Sequence, residues 1–156
     1  MKTAFTLAAL VAVLAFPSAG ARADDSAAAT YAEIEATLGQ VPSLFSAFPE
    51  AGIAGAWEEF KTIQLNPDTA LDGKTKELMG LAVASQIPCS YCIYFHTAAA
   101  RANGASDEEI KEAVAMAAIV RHWSTVMNGM QVDLATFKQE TDDILRRAAD
   151  AGAASN

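Results

Sequence analysis

Apolar residues in this chain recur at intervals of three and four, and no stretch alternates with period two over a useful length, so the pattern is helical. Tyr31, Ile34 and Leu38 share one face of a short helix over residues 30–38, with Gly39 as its stop. Pro42 holds Val41 extended, and Ser43 can cap a turn containing Leu44, Phe45 and Phe48. Pro49 suits the first turn of a helix reaching about Leu65, with Ile53, Ala56, Trp57, Phe60 and Ile63 or Gln64 inward. After the turn signal Asn66-Pro67-Asp68, Asp72 can cap a helix from about Gly73 to Gln86. That helix has two candidate inner faces: Leu78, Leu81, Ala82 and Ser85, and Glu77, Gly80, Leu81 and Ala84. The small Gly80 and Ala84 on the second face admit a close neighbour. Ile87-Pro88 breaks the helix, and another starts around Pro88–Cys89 and runs to about Ala102, closed by Asn103-Gly104.

Ser106 and Glu109 form a capping box for a helix through Ile110, Val114, Ala117 and Ala118 to about Met127, closed by Asn128-Gly129. Asp133 can cap a last helix with Leu134, Phe137, Ile144 and Leu145 inward, and Met79, Met116, Met127 and Met130 read as core. The expected architecture is all-α, a domain of about six helices whose centre is an antiparallel helical hairpin. Residues 24–29 and 148–156 read as loose ends.

The N-terminus changes this picture. Lys2, the apolar run Thr3 to Phe16, the breakers Pro17, Ser18 and Gly20, and Ala21-Arg22-Ala23 have the order of a secretory signal peptide over residues 1–23. The apolar run is too short to span a bilayer core of about 30 Å. The alternative is an uncleaved N-terminal anchor. Cleavage would remove Lys2 and Arg22, taking Lys+Arg from 11 to 9 against 19 acidic residues, a net charge of −10. Such a balance argues against nucleic acid and anionic membrane surfaces as partners. The mature chain is expected to be exported, periplasmic in a bacterium, and not membrane-bound.

Both cysteines and one of the two histidines fall within Pro88-Cys89-Ser90-Tyr91-Cys92-Ile93-Tyr94-Phe95-His96. On a helix Cys89, Cys92 and His96 lie at i, i+3 and i+7 and share a face. Cys89 falls where free amides and the helix dipole favour a thiolate, and His96 can take the Cys92 proton. Glu77 precedes the chain reversal by about as many residues as His96 follows it, so an antiparallel hairpin with about 1.5 Å rise per residue brings the two level. A carboxylate there can orient the imidazole. A bridge closing so small a loop removes little unfolded-chain entropy, so a redox pair explains the cysteines better than a staple. The rival readings are a short structural bridge or inert thiols, a zinc site of Cys89, Cys92 and His96 lacking a fourth ligand, a solvated Glu77 beside Lys74 and Lys76, and packing roles for Tyr91, Tyr94 and His122.

These residues carry a resemblance. The run Asp72-Gly73-Lys74-Thr75-Lys76-Glu77-Leu78, the Cys89-x-x-Cys92-x-x-x-His96 motif and Gly104-Ala105-Ser106-Asp107-Glu108-Glu109-Ile110 together resemble the carboxymuconolactone decarboxylase family, and within it the alkylhydroperoxidase D-like (AhpD-like) branch. The resemblance spans about Val41 to Met130. It implies an AhpD-like helical domain over residues 41–147, preceded by an N-terminal helix and linker at 24–40 and followed by a flexible tail at 148–156.

It also implies homo-oligomers and a thiol-dependent peroxidase acting on hydrogen peroxide or organic hydroperoxides without a haem, metal or other cofactor. Cys92 would be the peroxidatic cysteine, Cys89 the resolving one, and Glu77 and His96 the proton relay. The reductant would be an external dithiol protein, thioredoxin-like or lipoyl-bearing. Well-studied members carry a histidine between the cysteines where this chain has Tyr91, an accessory candidate. The other readings are a periplasmic thiol–disulfide oxidoreductase without peroxidase activity and a non-catalytic helical binding or assembly protein.

Overall fold

The computed structural model describes the backbone over residues 20–154 and side chains over residues 26–153. The signal segment expected at residues 1–23 lies almost wholly outside the described residues. Among those residues the secondary structure is helical, seven α-helices and one π-helical turn. The chain divides into two compact units, one up to Asn66 and one from Pro67.

The first unit contains α1 (Gly20–Leu38), α2 (Ser43–Ser46) and α3 (Glu50–Glu59), which continues as a π-helical turn (Phe60–Leu65). Its core is Ala27, Ile34, Phe45, Ile53 and Trp57. Phe45 meets Trp57 edge-on, ring centroids 5.4 Å apart, in the geometry that aromatic quadrupoles favour. Lys61 ties the elements together by pairing with Glu33 of α1 at 2.8 Å and Glu58 of α3 at 2.9 Å.

Two expectations change in this unit. Residues 24–29, read as a frayed end, are helical, because buried Ala27 and Thr30 extend the stripe of Ile34 by whole turns. Ile63, placed on the buried stripe, is exposed, because the wider π turn shifts its angular position on the helix.

The second unit contains α4 (Gly73–Gln86), α5 (Ser90–Ala102), α6 (Asp107–Gly129) and α7 (Leu134–Ala154). Helix α4 is its centre and packs against both α5 and α6. Asp72 caps α4 by accepting the Thr75 amide at 2.7 Å. The capping box of α6 is complete: Ser106 Oγ accepts the Glu109 amide at 3.1 Å and Glu109 Oε2 accepts the Ser106 amide at 2.7 Å. Glu109 Oε1 also accepts from Lys74 Nζ at 2.7 Å, fastening the start of α6 to the start of α4. At the other end Gln86 donates through Nε2 to the Ala117 carbonyl at 2.7 Å and accepts from Arg121 Nε at 2.8 Å. With both ends clipped in this order, α6 runs in the same direction as α4, and α5 runs against both. The sharp link between α5 and α6 uses Gly104 at φ +83°, a conformation that glycine adopts without a Cβ clash.

The face of α4 that is most deeply buried is Glu77, Leu81 and Ala84, the face with the small residues. The methionines do not form a core: Met79, Met116 and Met130 are exposed. Leu134, Phe137, Ile144 and Leu145, expected inward on the last helix, are also exposed, so α7 presents an amphipathic face that the other helices of this unit do not cover. Helix α7 continues to Ala154, so every described residue of the segment read as a loose tail at 148–156 is helical. Gly129 is helical, and the left-handed residue that follows α6 is Gln131 at φ 54°.

The capping and clipping carboxyls of this unit all lie below their ordinary ionisation range. The Thr75 amide lowers Asp72, Lys74 and then the Ser106 amide lower Glu109, Arg101 lowers Asp107, and the Thr136 amide lowers Asp133. Because the folded values are depressed, their stabilisation is present above the unfolded carboxyl range of about pH 4–4.5 and is lost as pH falls through the folded values. Thermal melting should therefore be nearly flat from neutral pH to about pH 5.5 and fall steeply below about pH 4.5. In Glu109→Gln the acid-side fall should be shallower than in the wild type; an identical fall would remove the Lys74–Glu109–Ser106 clip from this account.

Candidate functional site

The site sits where α4 ends and α5 begins. Pro88 has no amide hydrogen to satisfy at the reversal, and the Cys89 amide donates back to the Ala84 carbonyl at 3.1 Å, seating the new helix against the old one. Helix α5 starts at Ser90, so Cys89 is its N-cap residue and not part of its first turn. Cys89 Sγ accepts the Cys92 amide at 3.2 Å. The two sulfurs are bonded to each other, with Cα atoms 5.3 Å apart, and this is the oxidised state of the pair. Both cysteines are partly buried. Among the described residues no three His, Cys, Asp or Glu side chains form a metal-holding group.

One helical turn beyond Cys92, His96 turns toward α4. Its Nδ1 lies 2.7 Å from Glu77 Oε2. Glu77 is the one buried ionisable residue among the described residues, at 5 % exposure. A carboxylate removed from water is costly unless it is hydrogen-bonded, and the imidazole supplies such a bond. With Nδ1 engaged by Glu77, Nε2 is the ring nitrogen left for proton exchange at the cysteine side. His96 also packs edge-on against Phe95, centroids 5.2 Å apart.

Gly80 makes this contact possible. A Cβ at Gly80 would stand 2.8 Å from His96 Nε2 and closer still to Cε1 and Nδ1. The imidazole therefore lies directly on the α4 backbone, one turn after Glu77. The sequence marked Gly80 as a small residue allowing close approach, but not as the seat of the histidine ring. His96 and Cys92 together line a cavity of about 270 Å³ whose other walls are Met79, Gly80, Val83, Ala84 and Ile87. The structure thus brings Glu77, His96, Cys92 and Cys89 together. Tyr91 is 89 % exposed and does not line the cavity; His122 packs against Trp123 on α6 and does not line it either.

The all-α fold, with its Cys89–Cys92 pair, is AhpD-like. The sequence profile of the carboxymuconolactone decarboxylase family matches residues 51–134, more than half of the chain, and the chain belongs to that family. A curated relative, "Uncharacterized protein 4 in cox locus" of Paracoccus denitrificans, is 38 % identical over 85 residues, 52 % of this chain and 77 % of the relative. The crystal structure of the alkylhydroperoxidase AhpD core from Rhodospirillum rubrum superposes with a TM-score of 0.62 at 29 % identity, covering 81 % of this chain and 95 % of that one.

In an ordinary helix interior Gly→Ala stabilises by about 0.5–1 kcal/mol. At Gly80 the sign should reverse. Gly80→Ala is expected to lower the unfolding free energy by about 1–3 kcal/mol through the clash with the ring. In a His96→Ala background the same change should stabilise by about 1 kcal/mol. Denaturant unfolding of the four proteins measures both, and a stabilising Gly80→Ala with His96 present would contradict the seat.

Proposed function

We propose that this protein is a thiol-dependent peroxidase in which Cys92 is oxidised by the peroxide and Cys89 resolves the product. The observation that carries the reading is the buried Glu77–His96 hydrogen bond on the wall of the cavity that Cys92 shares. A structural bridge has no use for a buried carboxylate–imidazole pair. The AhpD-like fold with its cysteine pair is consistent with an alkylhydroperoxidase-type oxidoreductase, and the chemistry follows from the residues.

In the reduced protein His96, oriented by Glu77, takes the Cys92 proton. The Cys92 thiolate attacks the terminal oxygen of the hydroperoxide. The S–O bond forms as the O–O bond breaks, sulfur is oxidised to the sulfenic acid, and the leaving alkoxide takes the proton from His96 and departs as the alcohol. The Cys89 thiol then displaces the sulfenic hydroxyl as water and closes the disulfide. A dithiol protein, thioredoxin-like or lipoyl-bearing, restores the pair: one thiolate attacks a sulfur, the second releases the mixed disulfide, and the reductant leaves oxidised. Cys89 is the sulfur we assign to the reductant. Cys89 sits at the helix N-cap; when the reductant attacks it, His96 takes the proton of the incoming thiol and hands it to the departing Cys92, one turn deeper. In an exported protein the reductant is a periplasmic dithiol.

The test is peroxide consumption by reduced variants. Cys92→Ser should lose turnover entirely. Cys89→Ser should consume one equivalent and stop, with a sulfenate that dimedone traps and mass spectrometry locates on Cys92. If Cys92→Ser keeps the wild-type rate, the assignment is wrong. If the wild type exchanges disulfides but consumes no peroxide, the protein is a thiol–disulfide oxidoreductase instead.

A further inference from the structure

Two openings in the second unit share a wall. One is the cavity of about 270 Å³ at Cys92 and His96. The other is a groove of about 460 Å³ between α4 and α6, the size of a small-ligand site. Val83 and Ile87 line both. They are separated by one turn of α4, about 6 Å, and both are exposed. They form a low apolar ridge over which one ligand can reach from one opening into the other.

The groove is otherwise walled by apolar Ala82, Met116, Ala117 and Val120, and Gln86, Arg121 and Ser124 bring its polar atoms. Arg121 is held there: its Nε donates to Gln86 Oε1 at 2.8 Å, and Gln86 is itself fixed by donating to the Ala117 carbonyl at 2.7 Å. This grip leaves the two terminal guanidinium nitrogens for another partner. Lys61, Lys74, Lys111, Arg101 and Arg146 each pair with a carboxylate, whereas Arg121 Nε is held by the neutral amide of Gln86. In a chain with 19 acidic and 11 basic side chains, an oriented guanidinium facing an apolar groove is a local exception to the overall charge. Guanidinium suits carboxylate through paired N–H donors.

We propose that the peroxide substrate is a carboxylate-ended apolar hydroperoxide of the fatty-acid type, with its peroxide group at Cys92, its chain across Val83 and Ile87, and its carboxylate on Arg121. This rests on the peroxidase reading and specifies its substrate. The redox step is the one given above: the alcohol product keeps the carboxylate, and the dithiol reductant supplies the electrons. Arg121 is a specificity residue here and takes no part in bond breaking.

Two measurements separate this inference from the reading beneath it. The first is binding of oleic acid and methyl oleate, neither of them a peroxide, to the intact protein, followed by isothermal titration calorimetry. The acid should bind more tightly than the ester by about tenfold or more, the worth of a charge-assisted hydrogen bond. Arg121→Gln should bring the ratio to near one, and Arg121→Lys should keep part of it. The second is turnover of linoleic acid hydroperoxide against its methyl ester, where the acid-to-ester preference in kcat/KM should follow the same order across the three proteins.

Equal affinity for acid and ester, or no binding of either because another protein surface covers the groove, overturns the proposal. Preferential acid binding that Arg121→Gln removes, in a protein that consumes no peroxide, supports the groove as a carboxylate site. In that case it is the peroxidase reading that fails.

Discussion

The contact on which the proposed chemistry of this unit depends is the hydrogen bond between Glu77 and His96. It joins two helices, α4 and α5, through a carboxylate withdrawn from water. Leaving that carboxylate unpaired would cost several kcal/mol, so the hairpin geometry and the hydrogen bond support each other. The contact needs a backbone with no side chain one turn after Glu77, and Gly80 provides it. Removing the bulk of one residue on α4 thereby decides where a ring on α5 can lie. The ring in turn decides which of its nitrogens faces the cavity with Cys92.

The cysteine pair is placed by the same reversal of the chain. The Ala84 carbonyl receives the Cys89 amide, so the N-cap of α5 is anchored to the last full turn of α4. Cys89 at the cap and Cys92 in the first turn occupy different environments, although only two residues separate them. Cys89 Sγ takes a helix amide, whereas Cys92 opens on the cavity with His96. The proposed division of labour between the sulfurs rests on those environments. The clips at either end of α6, through Lys74–Glu109 and Gln86–Arg121, hold α4 steady as the scaffold for both.

Much of this was legible in the sequence because it depends on local rules. Proline at a reversal, a capping box and the i, i+3, i+7 face of Cys89, Cys92 and His96 require only helix geometry. Counting residues from the reversal sets Glu77 level with His96, since both helices rise equally per residue, and the family resemblance favours that pairing over a solvated Glu77. What was not legible depends on how elements meet. The exposed stripe of α7 and exposed Met79, Met116 and Met130 show the limit of reading apolar spacing as burial, for periodicity says which residues share a face and not what covers that face. Ile63 left the buried stripe because a π turn changes phase, and nothing in Phe60-Lys61-Thr62-Ile63 announces one. The Gln86–Arg121 contact exists only once α6 is packed against α4.

The central claim, that Glu77 acts through His96 on Cys92, is tested most directly by titrating one thiol. In reduced Cys89→Ser protein the rate of Cys92 alkylation by iodoacetamide, followed against pH, reports the thiolate fraction. Adding Glu77→Gln removes the carboxylate that orients the imidazole and supports its protonated form beside the thiolate. The relay predicts that the Cys92 titration then moves to higher pH, with circular dichroism showing the helical content intact. A direct repulsion between Glu77 and the thiolate, without a relay, would move it to lower pH. An unchanged titration, or a move to lower pH, would contradict the account.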